Sequence, residues 1–125
     1  MLNLSDIRRL YVRKKAGFRQ GEESLTAELK EVLGDRIEGC GIYHRYDVDG
    51  LSGEDYEKAV STVFSEPPVD SVETELPKGD LVIGVEFLPG QYDQRADSAE
   101  QCVKLLNEKE DPVIRSATTY VFEGE

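Results

Sequence analysis

The sequence has 125 residues, 38% of them hydrophobic and 33% charged, with a formal net charge of −11 at pH 7; this suits one folded domain around one core and excludes a wholly disordered chain. Such a charge repels phosphate backbones and anionic membrane surfaces, so neither nucleic acid nor a membrane is expected as a partner. Two widely separated cysteines, Cys40 and Cys102, an amino terminus without a signal-like apolar region and the lack of a run of ~20 apolar residues lead to the expectation of a cytoplasmic protein without a disulfide framework.

The first predicted element is a strand over residues 7–12, where Leu10 and Val12 share one face and Arg9, Tyr11 and Arg13 the other. Its basic residues, Arg8, Arg9, Arg13, Lys14 and Lys15, read either as a solvated strand edge or as a local anion site. A glycine-bounded connection leads to a helix with Leu25, Leu29, Val32 and Leu33 on one face, closed by Gly34. The alternation of Cys40, Ile42, His44, Tyr46 and Val48 predicts a second strand over residues 37–48, and Gly39 and Gly41 would admit close packing on its other face. Ser52, three residues before Asp55, opens a second helix with the apolar stripe Tyr56, Ala59, Val60, Val63 and Phe64, which Pro67 and Pro68 stop.

Further along, a short edge strand is placed near Val72. The nearly continuous apolar run over residues 81–88 predicts a central strand. Pro89 and Gly90 turn the chain. Capping-box spacing between Ser98 and Gln101, with Ala99, Cys102, Val103 and Leu106 on one face, predicts a third helix over residues 97–107. A last strand follows over residues 113–122. The order suggests two βαβ-like halves in a single domain spanning 1–125, roughly residues 5–66 and 69–123.

Complete catalytic sets are missing from the sequence. There is no glycine-rich run followed by Lys-Ser or Lys-Thr, and the acidic stretch at Asp47, Asp49 and Gly50 does not complete a calcium loop, because Arg45 and Tyr56 stand where its first and last carboxylates belong. The only histidine, His44, lies four residues from Cys40 on one strand face, a separation of ~13 Å that excludes a hydrogen-bonded pair. Cys102 is expected as a buried, inert thiol. His44 reads as a core or interface histidine. The densest polar constellation is the loop with Gln91, Asp93, Gln94, Arg95, Asp97 and Ser98. Arg95 between two acids at a helix start would bind a carboxylate or phosphate, or the acids would hold Arg95 while Asp97 or Ser98 caps the helix. No metal site is expected.

At this loop the string Phe87-Leu-Pro-Gly-Gln-Tyr-Asp-Gln-Arg-Ala-Asp-Ser-Ala-Glu-Gln-Cys102 closely resembles the amino-terminal region of large, single-chain phosphoribosylformylglycinamidine (FGAM) synthases of the Firmicutes type. Residues 9–18, 45–54 and 62–70 agree in order and approximate spacing. The resemblance implies an α+β, PurS-like domain: two βαβ-like halves forming a pseudo-dimer, with helices packed on a mainly antiparallel sheet. It implies a non-catalytic structural and docking role in a glutamine- and ATP-dependent ligase of de novo purine biosynthesis, with synthetase and glutaminase domains as partners and a parent chain continuing beyond Glu125. ATP and magnesium are implied for that parent, and no cofactor for this chain. A homodimer of the isolated chain through uncovered apolar surface also follows as an expectation. The alternatives are an autonomous anion- or nucleotide-binding regulatory module built on Arg95, and a small hydrolase using Asp93 or Asp97.

Overall fold

Period-2 alternation makes a strand only where another strand accepts its backbone, and here the two longest alternating segments accept each other. The computed structural model describes residues 7–124; residues 1–6, on which the amino-terminal reading rests, and residue 125 lie outside. Strand β1 is Arg8–Lys14, helix α1 Gln20–Leu33, β2 Ile37–Asp49, α2 Gly53–Thr62, β3 Asp70–Glu73, β4 Leu81–Glu86, α3 Gln94–Leu106 and β5 Val113–Gly124. A single 3₁₀ turn, Gly34–Arg36, joins α1 to β2.

The fold is α+β: three helices and one five-stranded sheet in the order β3-β1-β2-β5-β4, with antiparallel pairing throughout. β2 and β5 pair along their whole lengths, Val48 opposite Ile114 and Cys40 opposite Phe122. β1 meets only the second half of β2, with Leu10 opposite Tyr46. β4 likewise meets only the second part of β5, with Leu81 opposite Phe122. Two like units result, β1-α1-β2 and β4-α3-β5, each a strand, a helix and a longer strand, joined through β2 and β5. By pairing, β3 belongs beside the first unit, since Val72 lies opposite Val12.

The helices cover the face that carries Leu10, Tyr46, Val48 and Ile114. Those four residues are buried with Tyr56, Ala59 and Phe64 of the α2 region and Ala96, Ala99 and Val103 of α3. The Tyr46 and Phe64 rings sit 4.8 Å apart, tilted by 50°, a favourable aromatic geometry. α1 covers the other end of the same face less completely: Leu25 and Leu29 are only half-buried, and Val32 is 81% exposed. The reading of α1 as an amphipathic helix holds, but its stripe is not sealed.

The opposite face has its own small core. Residues 74–80 connect β3 at one edge to β4 at the other, so they must cross four strand spacings, roughly 19 Å, a reach that seven residues span at ~3.3 Å each. They do so as a strap. Tyr11, Tyr43 and Val121 are buried together on this face with Val82 against them, Pro77 is buried, and a Cβ at Gly79 would collide with the Val121 side chain. Gly41 serves the same face, because a Cβ there would lie 3.1 Å from the Tyr43 ring and 3.4 Å from the Arg13 guanidinium. Gly39 has open space instead.

Four expectations are corrected. The apolar run at residues 81–88 is an edge strand, with Leu81, Ile83 and Val85 exposed by 54%, 43% and 52%; the long strands β2 and β5 take the centre because they alone can pair over 12 residues. The third helix begins at Gln94, not Asp97. β1 is no sheet edge, since β3 lies outside it, and three of its basic residues are paired with acids: Arg9 with Asp47, Arg13 with Glu22, Lys14 with Asp70. Cys102 is exposed, whereas Cys40 is the buried thiol. Among the described residues no helix is long and apolar enough to cross a membrane.

Candidate functional site

The junction between β4 and α3 begins with a turn that the sequence dictates. Pro89 and Gly90 occupy its two central positions, and Gly90 has φ +88°, a conformation that favours glycine. The Gln91 N–H donates to the Leu88 carbonyl at 3.0 Å. The Leu88 N–H donates to Gln91 Oε1 at 2.6 Å. Gln91 therefore closes its own turn.

Asp93 is the residue on which the junction depends. Its Oδ1 accepts from the Ala96 N–H at 3.0 Å, capping α3, and from Ser116 Oγ at 2.6 Å. Its Oδ2 accepts from the Ser116 N–H at 2.7 Å. One carboxylate thus ends a helix and fastens it to β5, leaving it neither free as a base nor paired with Arg95. The expected cap, Asp97 or Ser98, is not used: Asp97 Oδ2 accepts from Tyr92 Oη at 2.9 Å and from Gln101 Nε2 at 3.0 Å.

Arg95 is not held by the two acids that flank it. Its Nη1 donates to Tyr46 Oη at 3.4 Å, and among the described residues no carboxylate forms an ion pair with it. Gln94, Arg95 and Ser98 line an open hollow of about 630 Å³ with Tyr46 and Phe87. His44 lies close enough for its charge state to feel Arg95. Burial first, then Arg95 and Lys14, push the imidazole below its ordinary pKa of 6.5. The neutral form is favoured. No described side chain hydrogen-bonds to His44, and Cys40 is engaged elsewhere: its thiol meets Thr26 Oγ1 at 3.3 Å and the Glu22 carbonyl at 3.4 Å.

A second cavity, about 780 Å³, lies beneath the turn on the strap face, between residues 87–91 and the side chains of Arg9, Arg45 and Arg115. Its cations are largely answered by acids. Arg9 makes two bonds to Asp47, at 2.6 and 3.1 Å, while Arg45 reaches Asp47 at 3.2 Å and also pairs with Glu86. The Arg45 Nε is buried without a partner.

One polar site escaped the sequence reading altogether. Glu22, in the first turn of α1, is buried and receives Arg13 Nε at 2.8 Å, Arg13 Nη2 at 2.7 Å and the Ile42 N–H at 3.0 Å. Burial opposes its ionisation, but Arg13 and the Ile42 N–H outweigh that and hold the carboxyl below its usual range. The signal was only an acid in a helix first turn, which is ordinary on solvent-facing helices.

Among the described residues neither thiol hydrogen-bonds to His44, and the Ser116 hydroxyl that meets Asp93 is buried. The described residues also contain no cluster of three or more His, Cys, Asp or Glu side chains disposed to hold a metal ion. The junction spends most of its polar groups on itself and leaves Phe87, Leu88 and Tyr92 exposed by 49%, 69% and 68%. No protein-family model, curated protein or solved structure matches the chain.

Proposed function

We propose that this chain is the PurS-like, non-catalytic docking domain of a large FGAM synthase, supporting the assembly of synthetase and glutaminase domains for ammonia transfer. One observation carries the reading. The segment that resembles the family, residues 87–102, folds into a turn and helix start whose carboxylates and amides bond within the segment or to Ser116 of β5, while its large apolar side chains Phe87, Leu88 and Tyr92 are exposed. That is the chemistry of a contact surface. The two like units joined through β2 and β5 fit a fused pseudo-dimer. A cytoplasmic location, and ATP and magnesium in the parent enzyme, belong to the same reading.

The test is to add the purified chain to a parent enzyme that lacks this region. Glutamine-dependent FGAM synthesis is expected to recover, and the chain alone is expected to turn over nothing; no recovery overturns the assembly role. A second reading, an anion- or nucleotide-binding regulatory module, draws on Arg95, which faces a hollow without a carboxylate partner among the described residues. Calorimetric titration with phosphoribosyl nucleotides and with glutamine separates the two, because docking predicts no substantial heat.

A further inference from the structure

Among the described residues, strand β4 ends the sheet with nothing paired beyond it. The other edge, β3, is protected: it has four residues, two of them acidic, and Lys14 is paired to Asp70 beside it. β4 has six residues, Leu81–Glu86, without proline or lysine, and its outer backbone groups form a row open to pairing. Leu81, Ile83 and Val85 project on one face, each about half exposed. Leu81 and Ile83 border a hollow of about 410 Å³ formed with Leu29 and Leu33 of α1 and with Phe122.

Acids outnumber cations beside this edge. Asp80 and Glu123 stand at the rim of the hollow. Asp80 accepts from the Gly124 N–H at 2.9 Å, and partial loss of hydration, then the neighbouring Asp80 and Glu38, push the Glu123 carboxyl above its ordinary value. Arg36 lines the same hollow, but among the described residues it forms no ion pair with either acid. A second copy would not relieve this crowding. Two-fold pairing of β4 with itself would set the Asp80 end of one strand toward the Glu86 end of the other and bring together two chains of net charge −11.

We infer that the free edge of β4 takes up an extended segment of a partner, apolar at alternate positions and carrying a lysine or arginine where it meets Asp80 and Glu123. Backbone hydrogen bonds would supply the pairing, the alternate side chains would extend the apolar surface of Leu81, Ile83 and Val85, and the cation would answer the two acids. The inference rests on the docking reading and names its surface.

The probe is an eight-residue peptide of alternating valine and threonine with a terminal lysine, compared with one ending in glutamate. The lysine peptide is expected to slow amide exchange within residues 81–86 and to bind at least tenfold more tightly; Asp80→Asn with Glu123→Gln should remove most of that difference. Failure of the lysine peptide to bind or protect β4 overturns the inference. So does protection that rises with protein concentration alone, which would assign the edge to a second copy. Complementation separates the two levels. If the chain restores the truncated parent and an Ile83→Lys/Val85→Lys variant with an unchanged melting temperature does so equally, the edge is not used and the docking reading stands. If the unaltered chain fails to restore activity, the docking reading falls and the peptide result alone decides the role of β4.

Discussion

α1 and α3 hold equivalent places in two like units, yet they attach to the sheet by different means. α3 buries Ala96, Ala99 and Val103, small side chains that let the helix lie close over β5, and Asp93 pins its start to Ser116. α1 buries only Glu22; its hold on β2 is polar, through the Ile42 N–H and the Cys40 thiol. The outer strands differ in the opposite sense: β1, in the unit of the loosely packed α1, is flanked by β3, while β4, in the unit of the tightly packed α3, has no neighbour beyond it among the described residues. The difference teaches that one topology can be closed at the strand in one unit and at the helix in the other, with the two open elements, α1 and β4, meeting at one hollow.

Core deletion should expose this contrast most strongly. Phe64→Ala removes a buried ring packed on Tyr46 and Tyr56 and is expected to cost about 3–5 kcal/mol, whereas Val85→Ala on the open edge should cost under about 1 kcal/mol in chemical denaturation. Similar losses at the two positions would mean that the edge is already covered. Next in size is the junction. Asp93→Ala removes a helix cap and strands the Ser116 N–H, for about 2 kcal/mol; Ser98→Ala should stay within ~0.5 kcal/mol. A larger loss at Ser98 would restore the cap expected from spacing.

The smallest effect is one of pH. The folded chain holds His44 below 6.5, so as pH falls beneath 6.5 the unfolded chain takes up its proton first and stability declines until the folded pKa is passed. Above 6.5 this contribution is fully present. Denaturant midpoints at pH 7.5 and 5.5 should therefore differ more in the original chain than in a His44→Gln variant. Equal differences would remove His44 from the pH response.

Local chemistry was the legible part. The alternation in β2, the Ser52 cap accepting from the Asp55 N–H, and Gly34 at the end of α1 with φ +62° each depend on neighbours in sequence. The place of β4 does not: an apolar run states that a strand wants burial, not whether the fold supplies it. The reading in which its flanking acids hold Arg95 failed for a similar reason. Those acids were the nearest partners in sequence, but Asp93 found Ser116 on another strand and Asp97 found Tyr92 and Gln101. Glu22 looked like any acid of a helix first turn until Arg13 was folded against it.

The strap has a consequence for how the two units meet. Without it, β1-α1-β2 and β4-α3-β5 would have to find each other by diffusion through strands of 12 and 13 residues. Held on one chain, each sees the other at an effective concentration on the order of millimolar, and lengthening such a tether weakens that only slowly. The crossing of residues 74–80 over the sheet therefore acts as a concentration device: it makes the join unimolecular, and so independent of how dilute the protein is.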